Sequence, residues 1–183
     1  MATDRTAVIG FPVDHSLSPI IHNHWIKELG LDTKPYEKIN VDPNKFEEQI
    51  NNLKAEGYGG LNVTVPLKEL AFSISDETSG VSKKLKSVNT LSLNSEKIDG
   101  DNTDAVGFIN SLDEKTIENN IANKKTLVLG AGGSARSVVH ALNEMGGHVR
   151  LFNRTPEKAA ILLNDLSINS SPVSTEELDD YAN

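Results

Sequence analysis

Short runs of aliphatic and β-branched residues alternate along this chain with longer stretches whose apolar positions fall three or four apart. Thr6 to Gly10 predicts a strand, and Pro19 to Leu29 a helix with Ser18 as N-cap and Pro19 at the first helical position. Lys34 to Val41 predicts a second strand. Asp42-Pro43 then opens a helix in which Phe46, Ile50 and Leu53 recur at helical spacing. Tyr58 to Val65 and Val88 to Leu93 predict two further strands. Strands separated by helical stretches imply βαβ units and a mostly parallel open sheet. Trp25, with Ile21 and Ile26 beside it, is expected in the core.

The rhythm restarts after a polar stretch, Asp113 to Lys125. Thr126 to Leu129 is a continuous run of the kind expected of a strand buried on both faces. Glycines follow at once, then a helix from Ser134 to Met145, a strand from His148 to Phe152 and a helix from Pro156 to Leu166. The expected organisation is an N-terminal α/β domain over residues 1–104, a connecting helix and linker over 105–123, and a second α/β unit over 124–183. No internal repeat or low-complexity tract interrupts it.

Composition narrows the chemistry. With no cysteine, disulfides, thiolate zinc sites and cysteine nucleophiles are excluded. A formal charge of −8 argues against a nucleic-acid surface, which needs clustered Lys and Arg, but not against a local site for a small anion. No apolar window approaches bilayer-spanning length, and no signal-like segment follows Met1, so a cytoplasmic protein is expected. His22 and His24 lie two apart on a helix and face different ways, so no metal site is expected.

Gly130-Ala131-Gly132-Gly133-Ser134-Ala135 fits G-x-G-x-x-A between a strand and a helix. The first glycine permits the tight turn and the second a close approach to a pyrophosphate. Ala135 keeps the helix near the strand, and the helix start offers N–H groups to phosphates. At the end of the next strand stand Asn153-Arg154-Thr155, with Lys158 following, where an NAD site usually carries a carboxylate. Arg154 suits a 2′-phosphate instead, so NADP is the expected cofactor.

Three polar patches in the first unit exceed what folding needs. Ser16 and Ser18 flank Leu17 ahead of a helix, an arrangement suited to a carboxylate, although Ser18 also serves as a plain cap. Asn62-Val63-Thr64-Val65-Pro66-Leu67-Lys68 ends a strand at the sheet edge where α/β proteins bind ligands. A surface position is the ordinary expectation for Lys68. Gly100-Asp101-Asn102-Thr103-Asp104 reads as a turn before a helix, or as a ligand-facing patch.

Taken with Val88-Asn89-Thr90, the glycine loop and Asn153-Arg154-Thr155, these six motifs in register resemble the shikimate dehydrogenases, from near residue 8 almost to the end. The resemblance implies a small-molecule enzyme in which a substrate domain precedes the first half of a Rossmann domain. It implies that Ser16 and Ser18 hold the carboxylate of shikimate or 3-dehydroshikimate, and that Thr64, Asn89 and Asp104 surround the ring hydroxyls. It implies that Lys68 is catalytic beside Asp104, and that Gly130 to Ala135 with Asn153, Arg154, Thr155 and Lys158 contact NADP. A quinate-preferring relative has nearly the same motifs. A monomer or homodimer is expected.

Family members usually run well past residue 183, completing the nicotinamide half of the cofactor site. The chain is therefore expected to hold most of the substrate site and the adenosine-phosphate half, with its own turnover left open. Gly80 stands where relatives commonly carry an acidic residue, and Lys86-Ser87 replace a usual small pair.

Overall fold

The computed structural model describes residues 5–94 and 96–181. The chain divides into two compact units, Met1–Asn102 and Thr103–Asn183.

The first unit is built on a six-stranded sheet: β1 (Arg5–Gly10), β2 (Glu37–Asn40), β3 (Tyr58–Val63), β4 (Glu77–Thr78), β5 (Thr90–Leu93) and β6 (Ile98–Asp101), in the order β2-β1-β3-β5-β6-β4. β1 runs parallel to both β2 and β3, because α1 (Ser18–Glu28) and α2 (Phe46–Ala55) carry the chain back between them. β5 is antiparallel to β3 and β6, while β4 is parallel to β6. The β6 half of the β5–β6 hairpin has little hydrophobic signature, since Ile98-Asp-Gly-Asp offers one apolar residue. Its turn is closed by the Asn94 side chain, which accepts from the N–H groups of Glu96 and Lys97 at 3.2 and 2.9 Å.

Alternation along β1 and β3 decides the layers. Ala7, Ile9, Leu61 and Val63 face one way and pack with Phe46, Ile50 and Leu53 of α2, with Leu67 and Ala71, and with Leu91 and Leu93. Phe46, Ile50 and Leu53 therefore form the buried stripe that their spacing predicts. A 3₁₀ turn, Pro43–Lys45, precedes α2, and the Asp42 carboxylate caps it by accepting from Asn44 N–H at 2.9 Å.

On the opposite face, among the described residues, Val8, Val13 and Tyr36 form a small buried apolar cluster with Ile26 packed against it. The neighbouring strand positions there are Asn62 and Thr90, which draw no apolar cover. For that reason α1 buries no residue, and Trp25 is 52% exposed with Ile21 similarly open, contrary to the core position expected for both. Trp25 instead meets the edge of the His22 ring at 5.5 Å.

In the second unit, α5 (Asp104–Asn110) packs on α7 (Gly133–Glu144). The polar connector forms a short helical turn, α6 (Glu114–Thr116), running into a π turn, Ile117–Ile121. β7 (Lys125–Leu129) and β8 (His148–Phe152) pair in parallel, and α8 (Pro156–Asp165) follows. Phe152 C=O turns toward β7 and accepts from Gly130 N–H, whereas Leu151 C=O turns the other way and accepts from Val173 N–H at 2.8 Å. β8 is thus flanked on both edges and its Val149 and Leu151 are buried. β7 pairs only with β8 among the described residues, and Leu129 is 70% exposed. Thr126 to Leu129 is therefore not covered on both faces as expected, because its continuous apolarity needs layers that these residues do not supply. Behind the helix start, Arg136 donates to Asp165 at 2.9 Å, tying α7 to α8. No helix among the described residues is long and apolar enough to cross a membrane.

Candidate functional site

The C-terminal ends of β1, β2 and β3 converge on one edge of the first sheet. The segments leaving β1 and β3 run side by side: Thr64 N–H donates to Ile9 C=O at 2.9 Å and Phe11 N–H to Val65 C=O at 3.1 Å. Gly10 permits this approach, since a Cβ there would lie 2.7 Å from Thr64 Cγ2. Leu67 N–H then donates to Thr64 C=O, turning the chain into α3 (Lys68–Ile74) with Leu67 fully buried beneath it. Lys68 is the first residue of that helix and is only 7% exposed. It is not the surface lysine that residue statistics lead one to expect. Its carbonyl accepts from Val88 N–H at 2.9 Å, which ties the helix start to the segment carrying Asn89.

Asn89 is clamped by its backbone, donating to Asp101 C=O at 2.9 Å and accepting from Val63 N–H at 2.7 Å. Its side-chain oxygen accepts from the Thr90 hydroxyl at 3.0 Å. On the facing loop Ser16 and Ser18 come together, their hydroxyl oxygens 3.2 Å apart. α1 starts at Ser18 with Leu17 in the cap position, and the Ser16 hydroxyl accepts from Ser18 N–H at 3.3 Å. Ser18 is therefore not the N-cap expected of it; Ser16 takes the local bond and leaves the Ser18 hydroxyl outside the helix ladder.

Residues that sequence reasoning missed hold this loop. Asn40, at the end of β2, accepts from Val13 N–H at 2.8 Å and donates to the Asp14 carboxylate at 3.1 Å. The Lys38 ammonium donates to Asp14 C=O. Neither residue carries a motif, and only the β1–β2 pairing brings them 24 and 27 residues back along the chain.

Gly100 to Asp104 is not one turn. Gly100 and Asp101 belong to β6, and a Cβ on Gly100 would stand 2.4 Å from Ser75 Oγ. Asn102 is buried and donates to Ser87 C=O at 2.9 Å, a structural role. Asp104 lies in the second unit, half-buried in the first turn of α5.

In that unit Gly130 adopts φ 105°, a conformation that glycine tolerates and side chains resist. A Cβ at Gly130 or Gly132 would meet nothing within 4 Å, so both glycines border open space at the start of α7. A helix start lined this way fits a pyrophosphate, which needs close backbone and unsatisfied N–H groups. Asn153 braces the loop: its oxygen accepts from Ala131 N–H at 3.1 Å and its amide donates to Thr155 C=O at 2.8 Å. Arg154, Thr155 and Lys158 are exposed beside it, and Ser134 is exposed at the helix start.

Residues 8–91 match the family model for the shikimate dehydrogenase substrate binding domain, and residues 111–183 match that for shikimate / quinate 5-dehydrogenase. The chain belongs to the shikimate dehydrogenase family. It is 43% identical over 158 residues to the NADP(+) shikimate dehydrogenase of Methylocella silvestris, an alignment covering 86% of this chain and 56% of that protein. The shikimate dehydrogenase structure from Aquifex aeolicus superposes with a TM-score of 0.85 at 37% identity, covering 97% of this chain and 65% of that one. The Thermus thermophilus enzyme, solved in complex with NADP(H) and shikimate, matches with a TM-score of 0.77 at 35% identity, covering 94% and 64%. The chain thus spans just over half the length of the curated relatives it matches.

Within this shikimate dehydrogenase fold, the two departures stand at the two ends of one short helix, and nothing in the structure explains the glycine at position 80. Gly80 opens α4 (Gly80–Leu85) behind the Ser79 cap, and a Cβ there would meet nothing, so space does not demand glycine. Lys86 ends α4 in the left-handed region, at φ 48°. A small residue, glycine above all, suits that position. Ser87 is fully buried, and its hydroxyl oxygen accepts from the Asn102 amide at 3.4 Å.

Proposed function

We propose that this chain carries the substrate domain and the adenosine-phosphate half of the cofactor site of an NADP-dependent shikimate dehydrogenase, which reduces the ketone of 3-dehydroshikimate to the alcohol of shikimate. The observation that carries this reading is Lys68, at the start of α3 and 7% exposed, on the same strand edge that gathers Ser16, Ser18, Thr64 and Asn89.

Ser16 and Ser18 hydroxyls donate to the substrate carboxylate, fixing one end of the ring. Thr64 and Asn89 hold ring hydroxyls. The Lys68 ammonium hydrogen-bonds the ketone oxygen and transfers a proton to it as negative charge develops there, leaving a neutral amine for solvent to reprotonate. Asp104 serves as the second member of the acid/base pair, its carboxylate accepting from a substrate hydroxyl. NADPH, when bound, supplies the hydride. The glycine loop shapes the turn, with the Gly130 and Ala131 N–H groups held by Phe152 C=O and the Asn153 oxygen. Gly132 to Ala135, at the start of α7, offer backbone N–H groups to the pyrophosphate, and Arg154 with Thr155 and Lys158 favour the 2′-phosphate.

The test is the thermal midpoint of the chain against rising shikimate, with quinate in parallel, beside Lys68→Ala and Ser16→Ala/Ser18→Ala. A ligand that binds only the folded state raises the midpoint in a saturable way. A rise that the serine pair abolishes supports the assignment, and the larger rise between the two ligands names the preferred one. No rise at millimolar concentrations of either sinks it. NADPH absorbance then reads turnover.

A further inference from the structure

We infer that a directed line of hydrogen bonds, Tyr36 to Asn62 to Thr90 to Asn89, fixes which end of the Asn89 carboxamide faces a ligand, making Asn89 a donor to a substrate hydroxyl oxygen. The inference rests on the substrate assignment above and adds three positioning residues to it.

The line begins in the buried corner between α1 and the sheet. Asn23 of α1 accepts from Tyr36 N–H at 2.7 Å and donates to Tyr36 C=O at 3.0 Å, so the backbone of Tyr36 is held from both sides. The His22 ring stacks on the phenol at 4.2 Å with an interplanar angle of 12°. The hydroxyl donates to Asn62 Oδ1 at 2.6 Å. Asn62 and Thr90 are register partners of β3 and β5, and Asn62 Nδ2 donates to Thr90 Oγ1 at 3.4 Å. The Thr90 hydroxyl donates in turn to Asn89 Oδ1 at 3.0 Å.

Direction follows from the first member. An amide can be turned end for end, so Asn62 alone fixes nothing. Tyr36 is buried, and burial pushes its phenol pKa up, keeping the proton on. That proton has Asn62 Oδ1 as its acceptor, so Asn62 must turn its NH₂ toward Thr90. Thr90 Oγ1 accepts there and has one proton to give, which goes to Asn89. The oxygen of Asn89 is thereby engaged on the sheet side, and its NH₂ is the end presented away from the relay. The Asn89 backbone, clamped between Val63 and Asp101, fixes the point from which the side chain reaches Thr90.

The relay makes two linked demands. Thr90→Val keeps the β-branched shape and deletes the hydroxyl; Thr90→Ser keeps the hydroxyl; Tyr36→Phe deletes only the phenolic oxygen. Shikimate affinity is measured by calorimetry in each, alone and combined with Asn89→Ala, together with the side-chain ¹⁵N–¹H₂ resonances of Asn89 without ligand. Thr90→Val should weaken shikimate binding about tenfold and Tyr36→Phe about threefold, the range of one hydrogen bond. Thr90→Ser should restore binding, and neither Thr90→Val nor Tyr36→Phe should weaken it further in the Asn89→Ala background. The Asn89 amide resonances should move in Thr90→Val and Tyr36→Phe and stay in Thr90→Ser. Equal losses with and without Asn89 would mean that these residues merely support the fold, and would overturn the inference. If the unaltered chain takes up no shikimate, the substrate assignment fails with Asn89's ligand role. The spectra then judge the relay separately: moved resonances uphold it, and unmoved ones overturn it.

Discussion

Arg136 and Asp165 join α7 to α8 directly behind the glycine loop, with side chains 9% and 12% exposed and 2.9 Å between charged atoms. Replacing Arg136 by Met leaves a carboxylate in the interior without its guanidinium. Breaking a pair at this depth costs about 3–5 kcal/mol, far more than the net worth of the pair itself. For a unit of this size each kcal/mol moves the midpoint by roughly 4–8 °C, so Arg136→Met should lower it by more than about 12 °C. Asp165→Leu should do similar damage from the other side. The double variant removes both charges and should recover to within roughly 1 kcal/mol of the parent, because an apolar pair of similar volume carries no desolvation cost. Arg150 and Glu177, 3.4 Å apart but with side chains 30% and 48% exposed, serve as the comparison. Arg150→Met should cost less than about 1 kcal/mol, as solvent-screened pairs do. The assay is calorimetric unfolding of the whole chain, with hydrogen exchange at α7 and α8 amides to assign the loss to this unit. If the double variant falls by the sum of the two single losses, the reasoning from desolvation is refuted. The same holds if Arg136→Met costs no more than Arg150→Met.

Three further expectations concern the first unit. Gly100→Ala would press a methyl to within 2.4 Å of Ser75 Oγ and 2.8 Å of Val88 Cγ2, and should cost about 1–3 kcal/mol by urea unfolding. Gly60→Ala, whose methyl would sit at an ordinary 3.7 Å from Thr6, should cost nothing comparable. Lys86→Gly relieves a side chain held at φ 48° and should stabilise by about 1 kcal/mol, with Lys86→Ala giving no gain. The phenol of Tyr36 is pushed upward by burial while the unfolded chain releases that proton near its usual value of about 10. Its contribution to stability is therefore complete below about pH 10 and declines as pH rises above it, since only the unfolded state then loses the proton. A stability profile from pH 8 to 11 should fall less steeply in Tyr36→Phe than in the parent; equal slopes would show that the phenol does not drive the decline.

The strand–helix rhythm was written in local periodicity. Thr6 to Gly10, Phe46-Ile50-Leu53 and His148 to Phe152 declare their elements because each buries one face or stripe against a neighbour, and burial imposes spacing. The glycine loop was legible for a related reason: the turn it makes at Gly130 tolerates few other residues. From these, and from the motifs at Ser16, Lys68 and Asn89, the fold class and the family could be read directly. Short polar elements could not. β6 is held by pairing with β5 and β4 rather than by its own residues, and nothing in Ile98-Asp-Gly-Asp says where those strands lie. The exposure of Trp25 depended on the sheet face that α1 meets, which carries Asn62 and Thr90 where an apolar layer was needed. The burial of Lys68 and the tie from Val88 N–H to its carbonyl join residues twenty positions apart, which spacing along the chain does not announce. The relay from Tyr36 to Asn89 joins residues 26 and 28 positions apart in its first two steps. Periodicity reports which residues avoid water; only tertiary structure decides which polar groups, distant in the chain, must satisfy one another once water is gone.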